Sequence, residues 1–595
     1  MKSTQSTRTK DLSGSAKIEC LPLGDQWILI NCAQFDAPLK IVHLISQYLF
    51  KDKPHWAQEI VPGIVTLAIK LNFNHHLARE IREDAMNAVQ ELTQSLLADK
   101  NQLDQEQNSH KTHVVKICYA PEVAPDLKDC AQKTQLSIEN FIQRHLAATY
   151  TTDILGFMPG FAYLSGLDPQ LSLPRRSTPR PIVPAGSVAI AENQTAIYPR
   201  DTPGGWNLIG KSPIRLFDSD KNPPTLFMPG DHIKFEQIDL DELHQIEQSL
   251  SPVSFKPKPV KNSSVIQVLQ AGALTTIQDA PRLGFSHWAV GPGGAVDQAS
   301  LKLANALVGN APDTAALEIT STGPKLQFSE STLLAWVGAQ CLVHINGTSV
   351  PSHRPIWVPE NNTLSIGHIE NGFRITLAIA GGLDVSSVLG RSGSHLAAGL
   401  GAPLIKKGDL IPIKRNELNA HLKLNEKISI PKWQIKPLFR PSLGIQEIKA
   451  LPGRHLSLLS PVEQKQFWQT VWTVSQQSNR MGIRLDSDFK PSQVLKGIPS
   501  EAIGFGTLQF PPAHQAIILL AEHQTTGGYP RFAEVIESEH MKLAQLEPGK
   551  KIKFVAITLE QADALNHQTN IELNQTLNAA KQGLNQFLIA HSREK

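Results

Sequence analysis

The sequence predicts a mainly β protein that opens with an α+β N-terminal subdomain. Three observations carry that expectation. Apolar residues at helical spacing gather in the first 150 residues. After that, Pro and Gly recur every few residues between short apolar runs such as SVAIA (187–191) and TAIYP (195–199), the texture of a barrel or sandwich. One block is also written twice: PAGSVAIAENQTAIYPRDTPGGW (184–206) and GFGTLQFPPAHQAIILLAEHQTTGGY (504–529). Both run glycine, strand, polar turn, strand, polar loop, Gly-Gly-aromatic. A Pro-Gly turn and an alternating strand follow each, PGDHIKF (229–235) and PGKKIKF (548–554), so two copies of one β-unit are expected.

In chain order, polar residues 1–16 read as a disordered lead-in. A subdomain over 17–112 follows. WILIN (27–31) and IVTLAIKLNF (64–73) alternate like strands. Ile41, Leu44, Ile45, Tyr48 and Leu49 form a helix stripe behind Pro38, and Ile81, Ala85, Val89, Leu92 and Leu96 form another. HVVKICYA (113–120) opens a β-unit over 113–250, in which Ser137 caps a helix running to about His145. Pro and Lys in PVSFKPKPVKN mark a linker at 251–262. Two further β-units are expected over 263–430 and 431–557, the first a fainter copy of the repeat. It contains a helix capped by Asp297, lined by Leu301, Ala304 and Val308, and ended by Gly309. From Thr558 a capping box starts a polar helix that runs through the tail, 558–595.

The 595 residues suggest roughly four domains at about 150 residues each. A formal net charge of +3 gives no argument for nucleic acid or an anionic membrane. No run of about 18 apolar residues exists to span a bilayer, and the N-terminus lacks the apolar core of a secretion signal. Five scattered cysteines without a C-x-x-C pair argue against a disulfide framework or a zinc site and point to a cytoplasmic location. No metal site is expected.

GFMPGFAYLSGL (156–167), PRRSTPRPIVPAGSVAI (174–190) and TPGGWNLIG (202–210) resemble the family of the 5-oxoprolinase B-type subunit, also called the Kip-type inhibitor or allophanate hydrolase subunit 1 family. GALTTIQDAPRLGF (272–285), LANALVGN (303–310), ALEIT (316–320), AGGLDV (380–385), SNRMGIRL (478–485) and QTTGGYP (524–530) resemble the family of the C-type subunit, or Kip antagonist, which is related to the carboxyltransferase domain of urea carboxylase. The first resemblance covers about 17–245 and the second about 265–560. Together they imply a natural fusion of the B and C components and cyclophilin-like β-barrels, one in the first half and two in the second. They also imply ATP-dependent opening of 5-oxo-L-proline to L-glutamate, with Mg accompanying ATP and a separate A-type subunit as partner. Two alternatives stay open: a biotin-dependent carboxyltransferase component acting on urea or another amide, and a regulator of a histidine kinase.

A lactam resists hydrolysis because resonance stabilises it, and phosphorylation of its oxygen removes that protection. The site then needs donors for phosphoryl oxygens, a clamp for the substrate carboxylate and a base near water. Gly204-Gly205 and Gly527-Gly528 are candidate N–H nests, with Thr202, Thr525 and Thr526 as hydroxyl donors and Trp206 and Tyr529 as the adjoining aromatics. Gly293-Gly294 precedes a helix N-terminus, another anion site. Asp297 is both a family-matched candidate and a natural helix cap. Arg180, clustered with Arg175 and Arg176, and Arg480 suit bidentate carboxylate binding. The resemblance adds Gly160 in GFMPGF, and His145 as a base where the B family places a histidine. Gln524 can bond an amide. No Walker A motif is present. Asn479, Glu522 and Gly293 depart from the family's Asp, Asp and Ser and bear on the choice of substrate.

Overall fold

Four antiparallel strands, in the order Glu19–Leu23, Trp27–Asn31, Thr66–Leu71, Ala57–Pro62, form the first sheet. This computed structural model describes residues 18–73, 78–98, 110–250, 264–415, 427–512 and 515–591. The lead-in expected at 1–16 and the linker at 251–262 lie outside the described residues. Helices Pro38–Lys51 and Ala78–Ala98 cover one face of the sheet through Ile41, Ile45, Leu49, Ala85 and Val89. The opposite face is covered too. Leu23, Leu29, Val61 and Ala68 pack on Ala502 of the distant second half. Burial on both faces explains why residues 27–30, WILI, are apolar without a break.

The written repeat is a topological repeat. The first closed barrel has seven strands: Thr112–Cys118, Tyr150–Leu155, Ala162–Ser165, Ser187–Ala191, Gln194–Ile197, Asn207–Lys211 and His232–Ile238. The second uses Gln446–Pro452, Val471–Val474, Gly482–Asp486, Thr507–Gln509, Ala516–Leu519, Arg531–Val535 and Lys551–Ala556. Numbered in chain order within each barrel, both close in the sequence 1-6-4-5-3-2-7. In both, the first and last strands pair in parallel and the other neighbours are antiparallel. A capped helix follows the first strand each time: Ile138–Ala147 behind Ser137, and Pro461–Gln469 behind the Ser460–Glu463 capping box.

Between the barrels in sequence lies a nine-stranded sheet that curls into a half-barrel, built around the long strands Thr332–Ile345 and Thr363–Ile379. Its helix, Gln298–Leu307, is capped by Asp297, and Gly309 follows with φ of 76°. The C-terminal helix Leu559–His591 starts with the expected capping box, Thr558 and Gln561 bonding reciprocally. It is more than a polar tail. Ala580, Leu584 and Phe587 share a core with Leu301, Ala304 and Val308, and Gly583 lies against Trp433, where a Cβ would come within 2.8 Å of the indole. Among the described residues, no helix is long and apolar enough to cross a membrane. All five cysteines are free.

Candidate functional site

Four parts of the chain enclose a cavity of about 240 Å³. The N-terminal sheet contributes Trp27, Glu59 and Lys70. The turn before Gln298–Leu307 contributes Gly293 and Asp297, and the helix adds Lys302. The second barrel contributes His523, Thr525 and His540, and the C-terminal helix Asn566 and Asn570. The N-terminal sheet is pinned there by Glu59, whose carboxylate accepts the N–H groups of Gly284 and Ser286. A second tie joins Arg82 to Asp563 on the C-terminal helix at 3.0 Å.

The turn at 293–297 owes its shape to two glycines with φ of 59° and 82°. A Cβ on Gly294 would lie 2.9 Å from the Pro281 nitrogen, so no side chain fits. The turn is held from below by Arg480. This guanidinium donates to Glu318, to Glu522 (2.7 Å) and to the Gly294 carbonyl (2.6 Å). Glu318 in turn accepts the Val296 N–H at 2.6 Å. Burial pushes the Glu522 carboxyl up, but Arg480 and His395 outweigh it and hold it below its ordinary value. With its side chain 3% exposed, Arg480 is consumed by this network. Its donors are engaged within the fold, so in place of the substrate clamp expected it braces the wall of the cavity. Asp297 acts as the cap, accepting from Ser300 and from the Gln545 amide. A carboxylate therefore already fills the helix N-terminus offered as an anion site.

The paired-glycine bends behave differently from the nests expected. None of Gly204, Gly205, Gly527 and Gly528 has the left-handed backbone that a nest requires. Thr202–Gly204 pairs with Arg180–Val183, and Thr526–Gly527 pairs with Glu501–Ala502, each as a short ribbon outside its barrel. The glycines serve close approach. A Cβ on Gly204 would sit 2.6 Å from the Tyr198 hydroxyl, and one on Gly527 would sit 2.5 Å from the Gln509 amide nitrogen. The two bends do turn toward one junction. Thr526 lies against Gly156 of the first half, and Tyr529 is near Tyr163, which packs against Trp206 at 6.0 Å. Yet only the segment leading into the second bend reaches the cavity, through His523 and Thr525. Gln524 between them is absent from its lining.

The remaining candidates sit elsewhere. His145 is fully buried in the first barrel, stacked on Phe235 at 5.0 Å. Thr195 gives its proton to the Ala189 carbonyl, so His145 Nε2 donates to Thr195 and Nδ1 accepts from the Tyr119 hydroxyl at 2.8 Å. Burial pulls its pKa down to about 3. It cannot reach a water in the cavity, which corrects its reading as the base. Arg180 and Arg176 converge on Asp126 at 2.7 and 2.9 Å, and Asp126 also accepts the Leu208 N–H. They fasten the first bend to its barrel. Gly160, with φ of 83°, sits where a Cβ would meet Phe217 at 2.9 Å. Trp206 is 6% exposed, and Thr202 is half-buried.

Sequence reasoning missed Glu59, Lys70, His523 and His540. His523 is one residue from a named candidate. Glu59 and Lys70 carry no motif, because their role depends on the N-terminal sheet docking on a barrel some 440 positions away, as between Glu59 and Phe505 of the same lining. Among the described residues, no cluster of three or more His, Cys, Asp or Glu could hold a metal ion.

Comparisons with known proteins agree with this layout. Residues 18–227 match the family model for the carboxyltransferase domain, subdomain C and D, and residues 288–556 match that for subdomain A and B. The C-type subunit of 5-oxoprolinase from Escherichia coli (strain K12) is 34% identical over 301 residues, 50% of this chain and 93% of that protein. The B-type subunit of 5-oxoprolinase from Bacillus subtilis (strain 168) is 37% identical over 211 residues, 35% of this chain and 87% of that protein. The crystal structure of TTHA0988 superimposes with a TM-score of 0.73 at 25% identity, covering 89% of this chain and all of that one. The fold is thus the mainly β, cyclophilin-like carboxyltransferase fold.

Proposed function

Because the chain belongs to the families of the B-type and C-type 5-oxoprolinase subunits, joined in that order in one polypeptide, we propose that it supplies both components of an ATP-dependent 5-oxoprolinase. It opens 5-oxo-L-proline to L-glutamate together with a separate A-type subunit. The observation that carries this reading is that the two subunit-like halves, each near full length, fold against one cavity. At about 240 Å³ the cavity suits a small ring amide, since ligand pockets generally run to roughly 300–1,000 Å³.

Thr525 lines the cavity; the residue is 2% exposed and its buried hydroxyl has no internal partner, so a turn of the side chain offers it to the lactam oxygen. His523 donates its Nδ1 proton to the Gln524 carbonyl at 2.5 Å, which leaves Nε2 as an acceptor. Burial lowers its pKa to about 4. The ring is therefore neutral at pH 7, and its Nε2 can accept a hydrogen bond from water and orient it for attack.

The residues read from the sequence as donors for phosphoryl and carboxylate oxygens are engaged in internal contacts. Gly204-Gly205 and Gly527-Gly528 are outside the nest conformation, the helix N-terminus behind Gly293-Gly294 is capped by Asp297, Arg180 is spent on Asp126, and Arg480 on two glutamates. With these candidates engaged, ATP and its Mg are, on this reading, bound with the help of the A-type subunit. Mixing the chain with an A-type subunit, 5-oxo-L-proline and Mg-ATP should yield L-glutamate and ADP in equal amounts, and neither protein alone should do so. A mixture that makes no glutamate overturns the reading.

A further inference from the structure

Two lysines line the cavity from opposite halves of the chain: Lys70 on the strand Thr66–Leu71 and Lys302 on the helix Gln298–Leu307. Both are half-buried, and neither has a carboxylate within 4.0 Å among the described residues. The charge of Lys70 is felt by Glu59, His523 and His540, all on the same cavity. The carboxylates in the lining are engaged by neutral donors. Glu59 accepts from Gly284 and Ser286, Asp297 from Ser300 and Gln545, and Glu537 from Gln26. Thr525 and Ser538 also line the cavity, and their hydroxyl oxygens, buried just beneath its surface, have no partner. Two half-buried ammonium groups without an ion-pair partner within 4.0 Å among the described residues are free to meet an anion entering the cavity.

We propose that Lys70 and Lys302 form a two-cation clamp for a small molecule carrying two carboxylates, with the hydroxyls of Thr525 and Ser538 donating beside them. The choice of ligand rests on the lactam-opening reading. That reaction begins with one carboxylate and ends with two. The oxygen of water joins the lactam carbonyl carbon and the C–N bond breaks. Both water protons end on the ring nitrogen, giving an ammonium and a new carboxylate. One lysine holds the carboxylate the substrate already has; the other receives the one being made. The clamp also gives a physical reason for joining the halves, since neither carries both cations.

Calorimetric titration of the full chain with 5-oxo-L-proline and with L-glutamate tests this directly. Lys70→Met and Lys302→Met should each weaken L-glutamate binding about tenfold or more, as expected for loss of a charge-assisted contact. Only one of the two should weaken 5-oxo-L-proline binding to that extent. Lys70→Arg and Lys302→Arg should stay within about threefold of wild type, and thermal unfolding of all four should match wild type, which separates lost binding from lost folding. The proposal is overturned if the wild-type chain binds neither acid, or if either methionine variant binds L-glutamate as tightly as wild type. If both acids bind and the variants lose them, but the mixture with an A-type subunit makes no glutamate, the clamp stands and the reaction assignment falls.

Discussion

Replacing Arg480 by methionine is expected to lower the stability of the chain by about 4 kcal/mol. Removing one partner from a buried ion pair costs about 3–5 kcal/mol, because the opposite charge is left uncompensated. Here two carboxylates are stranded, since Glu318 and Glu522 are 1% and 3% exposed at their side chains. The Gly294 carbonyl and the turn above it lose their support at the same time. A typical domain is stable by only about 5–15 kcal/mol, so this is a large share of the total. Arg480→Lys keeps a charge but cannot reach three acceptors in a plane, and should lose less. Urea unfolding followed by intrinsic fluorescence measures both. A loss below about 1 kcal/mol for Arg480→Met would show that the network is not what holds the cavity wall.

Acid is expected to destabilise the protein steeply between pH 6.5 and about pH 4. Burial pulls the pKa of His145 and His540 to about 3, and that of His395 and His523 to about 4. The folded chain keeps these rings neutral, whereas the unfolded chain protonates them near 6.5. Through these rings the unfolded state binds more protons throughout this window, and stability falls as pH falls; Asp25, raised to about 6 by burial, works in the opposite direction below that pH and offsets part of the loss. Each pKa unit is worth about 1.4 kcal/mol, so even one unit realised per ring removes roughly 5 kcal/mol in all. Glu522 adds to the trend at lower pH, because its depressed carboxyl stabilises the fold only while ionised. Unfolding midpoints in urea at pH 7.5, 6, 5 and 4.5 should decline continuously. A midpoint flat from pH 7 to pH 5 would show that these rings are not held neutral.

Periodicity and capping were enough to read most of the architecture. Pro38, Ser137, Asp297 and Thr558 stand at the helix starts they advertise. The repeated glycine-strand-turn block corresponds to two barrels of identical strand order. Local signals of this kind survive folding because they are satisfied within a few residues. The site was harder to read. Gly527-Gly528 looks like an anion nest in sequence, but sequence does not state whether a glycine is kept for its φ or for the atoms that crowd it. Here crowding by Gln509 and Ile503 is the cause. Arg480 and Arg180 were recognisable as important, but their partners Glu318, Glu522 and Asp126 come from other segments, so binding and bracing look alike along the chain. Asp279 and Arg282 show the same limit. Three residues apart in sequence, they hold a distant loop, Asp279 accepting from Ser392 and Gly393 and Arg282 donating to the carbonyls of Val388 and Arg391. Lys70 gave no signal, since a lysine in an alternating strand is ordinarily a solvated position.

The most direct test of placing the reaction between the two halves is a crystal structure of the chain grown with saturating 5-oxo-L-proline. The ligand should occupy the junction cavity, within hydrogen-bonding distance of Thr525 and with its carboxylate toward Lys70 or Lys302. Density for it at the Gly204-Gly205 or Gly527-Gly528 ribbons, with the cavity empty, would contradict that placement.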